Sequence, residues 1–188
     1  MITKKYYLNS DLYRYTGKKY DNINFLKKLL FNTGYRYVYF YRKASFYKKS
    51  NFFRWFYWFF LRRMQLKYHI QISDRTTIGH GLFIGHMGYV VISHNAVIGN
   101  NCNINHGITI GETSRGSKKG APRIGNNVWF GANSITVGKI EIGDNVLVAP
   151  GAYINFNVPS NSIVIGNPAK IIPNKNATSK YIKRIYSR

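Results

Sequence analysis

From Ile72 onward an aliphatic residue followed by a small one returns every six positions. Ile72-Ser73, Ile78-Gly79 and Ile84-Gly85 begin the series, and after one eight-residue step Ile92-Ser93, Ile98-Gly99, Ile104-Asn105 and Ile110-Gly111 continue it. A longer break follows, and Ile124-Gly125, Phe130-Gly131, Thr136, Ile142-Gly143, Val148-Ala149 and Ile154-Asn155 resume the pattern. Two positions before these residues, small or β-branched side chains such as Thr76, Ala96, Cys102, Val128, Ser134, Val146 and Ala152 are frequent. A period of six is neither the 3.6 of a helix nor the open-ended alternation of a strand. It describes a short strand and a turn, repeated, with three units closing one triangular coil of a parallel β-helix. The aliphatic residue points inward and stacks on its equivalent three repeats later. Gly or Asn beside it permits a tight corner where φ is positive. Stacked coils bury a continuous core, so the interior of this body is expected to need nothing from the residues before it.

Before His69 the pattern changes. Residues 35–60 hold 15 aromatics in 26 positions, and the apolar spacing predicts helices over about 23–32 and 35–66. The longest unbroken apolar run, Trp55–Leu61, is far too short to span a bilayer. The segment from 174 on is polar and basic, and is read as a short helix or a disordered tail. The expected organisation is therefore a basic aromatic helical region over 1–68, a β-helix over 69–172 and a basic tail over 173–188.

Charge sharpens this division. The chain carries 28 Lys+Arg against 6 Asp+Glu, a formal net charge of +22. By segment, residues 1–68 carry 16 bases and 2 acids, residues 69–172 carry 7 and 4, and the tail carries 5 and none. The excess thus flanks a nearly neutral body. Apolar content is too high for disorder. One cysteine excludes a disulfide framework or a cysteine-rich zinc site, and six acids leave little for calcium or a paired-carboxylate enzyme. A basic aromatic chain raises nucleic acid as a partner, but no nucleic-acid motif accompanies the charge. No signal peptide is evident at the N-terminus, so the expected compartment is the cytoplasm. Aromatics and bases over 35–66 suit either a trimer-packed cap on the prism or an interfacial surface for anionic lipid at the inner membrane face.

The breaks in the repeat carry the candidate chemistry. The stretch Ile84-Gly-His86-Met-Gly-Tyr-Val-Val-Ile92 is two residues longer than a repeat, which pushes His86 out at a corner. The stretch from Gly111 to Ile124 is eight longer and holds Arg115, Lys118, Lys119 and Arg123. It is an exposed loop that either replaces one face or is extruded between two. His86 and His106 each lie two residues beyond stacked isoleucines, so they fall at the same corner. His106 could orient His86 or bind the acceptor, against a plain corner role. His80 and His94 read as surface residues, and Cys102, at an inward position, is a poor nucleophile.

The segments Gly81-Leu-Phe-Ile-Gly-His86-Met-Gly-Tyr-Val-Val-Ile92, Asn105-His-Gly-Ile-Thr-Ile-Gly111 and Val164-Ile-Gly-Asn-Pro-Ala-Lys-Ile171 resemble the hexapeptide-repeat acyltransferases. They are similar to serine acetyltransferases and to relatives that O-acetylate bacterial capsule and exopolysaccharide sugars. The resemblance implies a left-handed β-helix, a homotrimer with sites between prisms, and acetyl-CoA as co-substrate. It implies that His86 is the general base, since an imidazole can take a hydroxyl proton and return it to the leaving thiolate. It further implies that the cofactor lies along Gly111, Gly131-Ala132 and Ala149-Pro150, with Lys170 near its phosphates. Arg115, Lys118 and Lys119 could reach those phosphates as well.

Departures from the serine acetyltransferase pattern shape the expected acceptor. Gly85 stands where that family has Asp before the histidine, Gln71 where it has an orienting Asp, and Gly120-Ala121-Pro122 where it has Arg-His-Pro. Losing charges suited to an amino acid favours a neutral sugar hydroxyl. The expected activity is accordingly O-acetylation of a capsular, exopolysaccharide or lipid-linked glycan, with serine acetylation for cysteine biosynthesis as the alternative. A non-catalytic membrane-associated β-helix is the contrasting class. A trimeric zinc carbonic anhydrase shares the fold, but its close histidine pair with acidic neighbours is missing, so no metal is expected.

Overall fold

The computed structural model describes residues 3–47 and 52–187. The repeat forms a three-sided parallel β-helix of five coils. The first coil is β1 (Ile70–Ile72), β2 (Thr77–Ile78) and β3 (Phe83–Ile84). The second is β4 (Val90–Ile92), β5 (Val97–Ile98) and β6 (Asn103–Ile104), and the third β7 (Thr109–Gly111), β8 (Arg123–Ile124) and β9 (Trp129–Phe130). The fourth is β10 (Ile135–Val137), β11 (Glu141–Ile142) and β12 (Val146–Val148). The fifth is β13 (Tyr153–Ile154) and β14 (Ser162–Ile165), and β15 (Lys170–Pro173) folds back antiparallel on β14. Face A stacks β1-β4-β7-β10-β13, face B stacks β2-β5-β8-β11, and face C stacks β3-β6-β9-β12-β14.

The six-residue period is the register itself. Ile72, Ile92, Ile110, Thr136 and Ile154 form one inward column, and Ile78, Ile98, Ile124 and Ile142 a second. Ile84, Ile104, Phe130, Val148 and Val164 form the third, and all three columns are buried. Two of the three edges are drawn by left-handed backbone. On the C–A edge, His69, Tyr89, Gly107, Asn133 and Gly151 have φ of 53°, 49°, 69°, 58° and 70°. Gly81, Asn101, Asn127, Asn145 and Asn161 repeat this on the B–C edge. Asn tolerates this region because its short polar side chain can bond locally, and the residue just before each left-handed Asn forms a ladder between coils. Asn100 Oδ1 accepts from His80 N, Asn126 Oδ1 from Asn100 N, Asp144 Oδ1 from Asn126 N and Ser160 Oγ from Asp144 N, at 2.6–3.0 Å.

Four helices cap the first coil: α1 (Lys4–Thr16), α2 (Asn22–Phe31), α3 (Thr33–Phe46) and α4 (Phe52–Tyr68). Asp21 and Asn32 cap the N-termini of α2 and α3 through their carboxylate and amide oxygens. The first helix was not legible in the pattern, and the predicted 35–66 helix is two helices; residues 48–51 between them lie outside the described residues. A solenoid's end coil exposes a row of unpaired backbone groups. Here helix side chains take them. Asp11 Oδ1 accepts from Leu82 N at 2.8 Å, Ser10 Oγ from Gly81 N at 3.1 Å and Tyr15 Oη from Ile84 N at 2.8 Å. Tyr41 Oη donates to Thr76 O at 2.6 Å, Gln65 Nε2 to Ile72 O at 2.8 Å and Arg42 Nη1 to Ile78 O at 2.6 Å.

Arg42 and Asp11 form a buried ion pair at 2.8 Å. Burial works against the Arg42 charge, but the Asp11 carboxylate outweighs it and raises its pKa. Tyr37, Val38, Tyr41, Ala44, Leu61 and Met64 belong to the same core cluster as the prism columns. The prism interior therefore continues into the cap rather than closing on itself, because an end coil has no further coil to cover it.

The tail is neither helical nor disordered. It returns along the B–C edge from the last coil to the cap. Thr178 Oγ1 donates to Asn145 Oδ1 at 2.7 Å, Tyr181 packs on Trp129 with centroids 4.7 Å apart, and Asn103 Nδ2 donates to Tyr181 O at 3.4 Å. Tyr186 and Asn101 exchange two bonds of 3.1 and 3.2 Å, and Arg184 Nη1 donates to Tyr15 O at 2.9 Å.

Candidate functional site

The eight-residue step falls at the C–A edge, between β3 and β4, where Gly88 takes φ 116° to turn the longer corner. His86 is exposed there, and His106 is exposed on the next coil below. Their rings stand edge to face with centroids 5.9 Å apart. The structure thus brings together the two histidines that spacing placed at one corner. Tyr89, 73% exposed and stacked on His69 at 5.1 Å, joins them. Sequence reasoning passed over Tyr89, although a non-glycine residue closing a register break was the available signal.

Below His106 the C–A edge carries only short side chains. Ala132 and Pro150 occupy the positions of His106 on the next two coils, and Asn167 follows beyond β14. From His106 the edge forms a smooth track over three coil spacings, about 14 Å at ~4.8 Å each. Gly131 admits no side chain, since a Cβ would lie 2.5 Å from Pro150 N and 2.8 Å from Val148 O. Ala149 is buried beside the track, and exposed Lys170 begins β15 at its far end. Gly131, Ala132, Ala149, Pro150 and Lys170 therefore share the edge with His86.

Gly111 and the loop do not. The long segment is extruded at the A–B edge, between β7 and β8. Thr113 and Gly120 close it with paired backbone bonds of 3.0 and 2.9 Å. It lies back along the later coils, where Lys118 O accepts from Lys139 N at 2.9 Å and Lys118 Nζ donates to Asn155 O. Arg115, Lys118 and Lys119 are exposed on this edge. Within one chain they are across face A from His86, so one chain does not hold the expected site complete. Glu112 sits at the same edge, accepting from Ser93 Oγ at 3.2 Å and Asn95 Nδ2 at 2.8 Å.

Among the described residues Gln71 makes no hydrogen bond to His86. It is exposed on face A and lines a groove of about 720 Å³ with Trp58, Arg62, Asp74, Ser93 and His94. Among the described residues no carboxylate stands on the C–A edge: Asp74 and Glu112 are at the A–B edge, Glu141 is on face B and Asp144 is at the B–C edge. Gly85, in the family's aspartate position, is closely flanked: a Cβ there would lie 3.2 Å from Asn105 Oδ1 and 3.3 Å from the Phe83 ring, and Asn105 Nδ2 braces the corner by donating to Phe130 O at 2.7 Å. Cys102 is buried, its thiol pushed up to about 12 by burial, and cannot act as nucleophile. His80 is not a plain surface residue, since it packs between Tyr6 at 5.1 Å and Tyr186 at 6.2 Å. His94 is exposed. Among the described residues no three His, Cys, Asp or Glu side chains gather as a metal site.

Residues 121–155 match the bacterial transferase hexapeptide model (six repeats). The chain is similar to serine acetyltransferase 2 of Arabidopsis thaliana, 40% identical over 110 residues, which are 58% of this chain and 34% of the relative. Soybean serine acetyltransferase complexed with serine superposes with a TM-score of 0.75 at 27% identity, over 90% of this chain and 69% of that one. The serine acetyltransferase of Brucella abortus strain S19 in complex with coenzyme A gives 0.73 at 26% identity, over 90% and 68%. At 90% coverage the likeness extends from the prism into the helical cap. The solenoid is the left-handed parallel β-helix of these neighbours. The chain spans only 29–60% of the length of the curated relatives compared.

These relatives overturn the expected glycan acceptor, because those compared are serine acetyltransferases and two of the solved structures hold serine. The missing charges at Gly85, Gln71 and Gly120-Ala121 are departures inside a likeness that runs to serine acetyltransferases throughout.

Proposed function

We propose that this chain, a hexapeptide-repeat homologue of the serine acetyltransferases, is an acetyl-CoA-dependent O-acetyltransferase acting on serine, with His86 as general base. The observation that supports this most is the edge-to-face pair of His86 and His106 at the head of a side-chain-poor track. The serine hydroxyl attacks the thioester carbonyl while the His86 imidazole takes its proton. The tetrahedral intermediate collapses, the C–S bond breaks, and the imidazolium returns the proton to the leaving thiolate. No acyl-enzyme forms. His106 orients the imidazole or the acceptor, and the track through Ala132 and Pro150 receives the extended thioester arm, with Lys170 at its phosphate end.

The acceptor's own charges need partners that the C–A edge of one chain does not carry. The A–B edge offers both signs, in Glu112 and in Arg115, Lys118 and Lys119. A homotrimer that sets the A–B edge of one copy against the C–A edge of the next completes the site. Partly exposed Val91 and Ile135 on the face between those edges suit burial in that contact.

The test is thiol release from acetyl-CoA with and without L-serine, with the product identified by mass and the assembly sized in solution. Serine-dependent release of coenzyme A by a trimer, abolished in His86→Ala, is the expected result. A folded trimer that releases no thiol with serine would sink the assignment.

A further inference from the structure

We infer that α2 and the first half of α4 form an interfacial surface that seats the protein on anionic lipid bilayers. The sequence spread this possibility over residues 35–66, but the structure relocates it. Helix α3 turns inward: Tyr35, Tyr37, Val38 and Tyr41 are buried. The exposed apolar side chains are on the helices either side, with Ile23 at 80%, Phe31 at 82%, Phe52 at 76% and Trp55 at 62% exposure. A monomer rarely shows so many large apolar side chains together without a use for them.

The polarity of α4 is divided along its axis rather than around it. Tyr57, Leu61, Met64 and Tyr68 face the protein. On the outward arc, Phe52, Phe53, Trp55, Phe56, Trp58 and Phe59 fill the first half. Arg62, Arg63 and Lys67, all exposed, occupy the second, with exposed Leu66 as the one apolar side chain among them. At 1.5 Å per residue the aromatic half is about 13 Å long, a length that fits the headgroup and acyl boundary when the helix enters obliquely. The bases then stand at phosphate level. A mostly apolar groove between α2 and α4 has the same order: Leu30, Phe40, Phe60 and Met64 line it, with Arg63 and Lys67 among its walls. Such a groove accepts an acyl chain beneath an anionic headgroup. No helix among the described residues is long and apolar enough to cross a membrane, so the surface would rest on a bilayer.

Nothing in the helical region opposes anionic lipid. Its only two acids are engaged, Asp11 buried on Arg42 and Asp21 at the N-cap of α2. Among the described residues Asp74 of the prism, 4.0 Å from Arg54, is the one further carboxylate beside α4. A second copy is disfavoured as occupant, because pairing two such faces would set mostly bases against bases.

The full chain should cosediment with vesicles containing about a third phosphatidylglycerol and not with pure phosphatidylcholine. Binding should weaken with salt. In a Trp129→Phe background the remaining tryptophans are Trp55 and Trp58, so vesicles should shift their emission to the blue and brominated acyl chains should quench it. Replacing Arg62, Arg63 and Lys67 by Gln should weaken binding on the order of 100-fold, at roughly fivefold per base. Trp55→Ser with Phe56→Ser should abolish the shift. The proposal is overturned if anionic vesicles are not bound at low salt, if neutral vesicles bind equally, or if the tryptophans shift without lipid as the trimer doubles in mass. The readout is independent of acetyl transfer, so this inference and the proposed activity can fail separately.

Discussion

The hydroxyl of Tyr15 brackets Ile84, accepting from its N–H at 2.8 Å and donating to its carbonyl at 3.2 Å. Burial holds the phenol far above its usual range, so it serves both bonds as a neutral group. Ile84 is two residues before His86, on the coil edge that has no further strand to pair with. Tyr15→Phe should leave a buried N–H unsatisfied and cost about 1–3 kcal/mol. Urea denaturation measures that loss. If the bond also positions the corner, kcat with serine falls while KM for acetyl-CoA holds; a loss of stability with unchanged kcat would confine Tyr15 to structure.

The two histidines should separate in a mutant series. His86→Ala should lower kcat by a factor of about 10²–10⁴, the ordinary contribution of a positioned base. His106→Asn should cost less and act on the pH profile or on KM for serine. Circular dichroism confirms the fold of each variant. Equal activity of His86→Ala and the parent would remove the base from this corner.

Cys102 offers a test of the core itself. Its thiol is raised by burial to about 12, above the ~8.5 of an unfolded chain. The native state therefore keeps a proton that the unfolded chain releases. The stability this contributes is complete below about pH 8.5 and is lost as pH rises toward 12. At pH 8 alkylation should be about 10³-fold slower in the folded protein than in urea. Stoichiometric labelling without denaturant would show that the inward column is open.

The extruded loop should matter for binding rather than for folding. Replacing Arg115, Lys118 and Lys119 by Ser should raise KM for acetyl-CoA or serine about tenfold and leave the melting temperature nearly unchanged. The loop touches the prism through its backbone pairing and one Lys118 bond, both at the surface. A large fall in melting temperature with unchanged KM would reverse that assignment.

The prism was legible because its inward columns are written one residue at a time, and a period of six has no competing structure. The corner pairing of His86 with His106 followed from the same arithmetic. Helix α1 was not legible, because Asp11, Arg14 and Tyr15 look like a polar face until the coil edge they bond is known. Arg14 donates to Asn101 O at 3.0 Å, 87 positions away. Gln71 was legible only as a match to the family's orienting position; its side chain leaves through face A and forms no hydrogen bond to His86. The acceptor misled because the charges it needs are proposed to come from the opposite edge of another copy.

The returning tail has a thermodynamic consequence. An open array of repeats can unzip from either end, each coil releasing only its neighbour. Here the segment after the last coil is bonded to Asn101, on the second coil, and to Tyr15, in the cap over the first. Peeling one terminus loosens the other, so the two ends form a closed circuit. Partial fraying is suppressed, and the array is driven toward melting as a single cooperative unit.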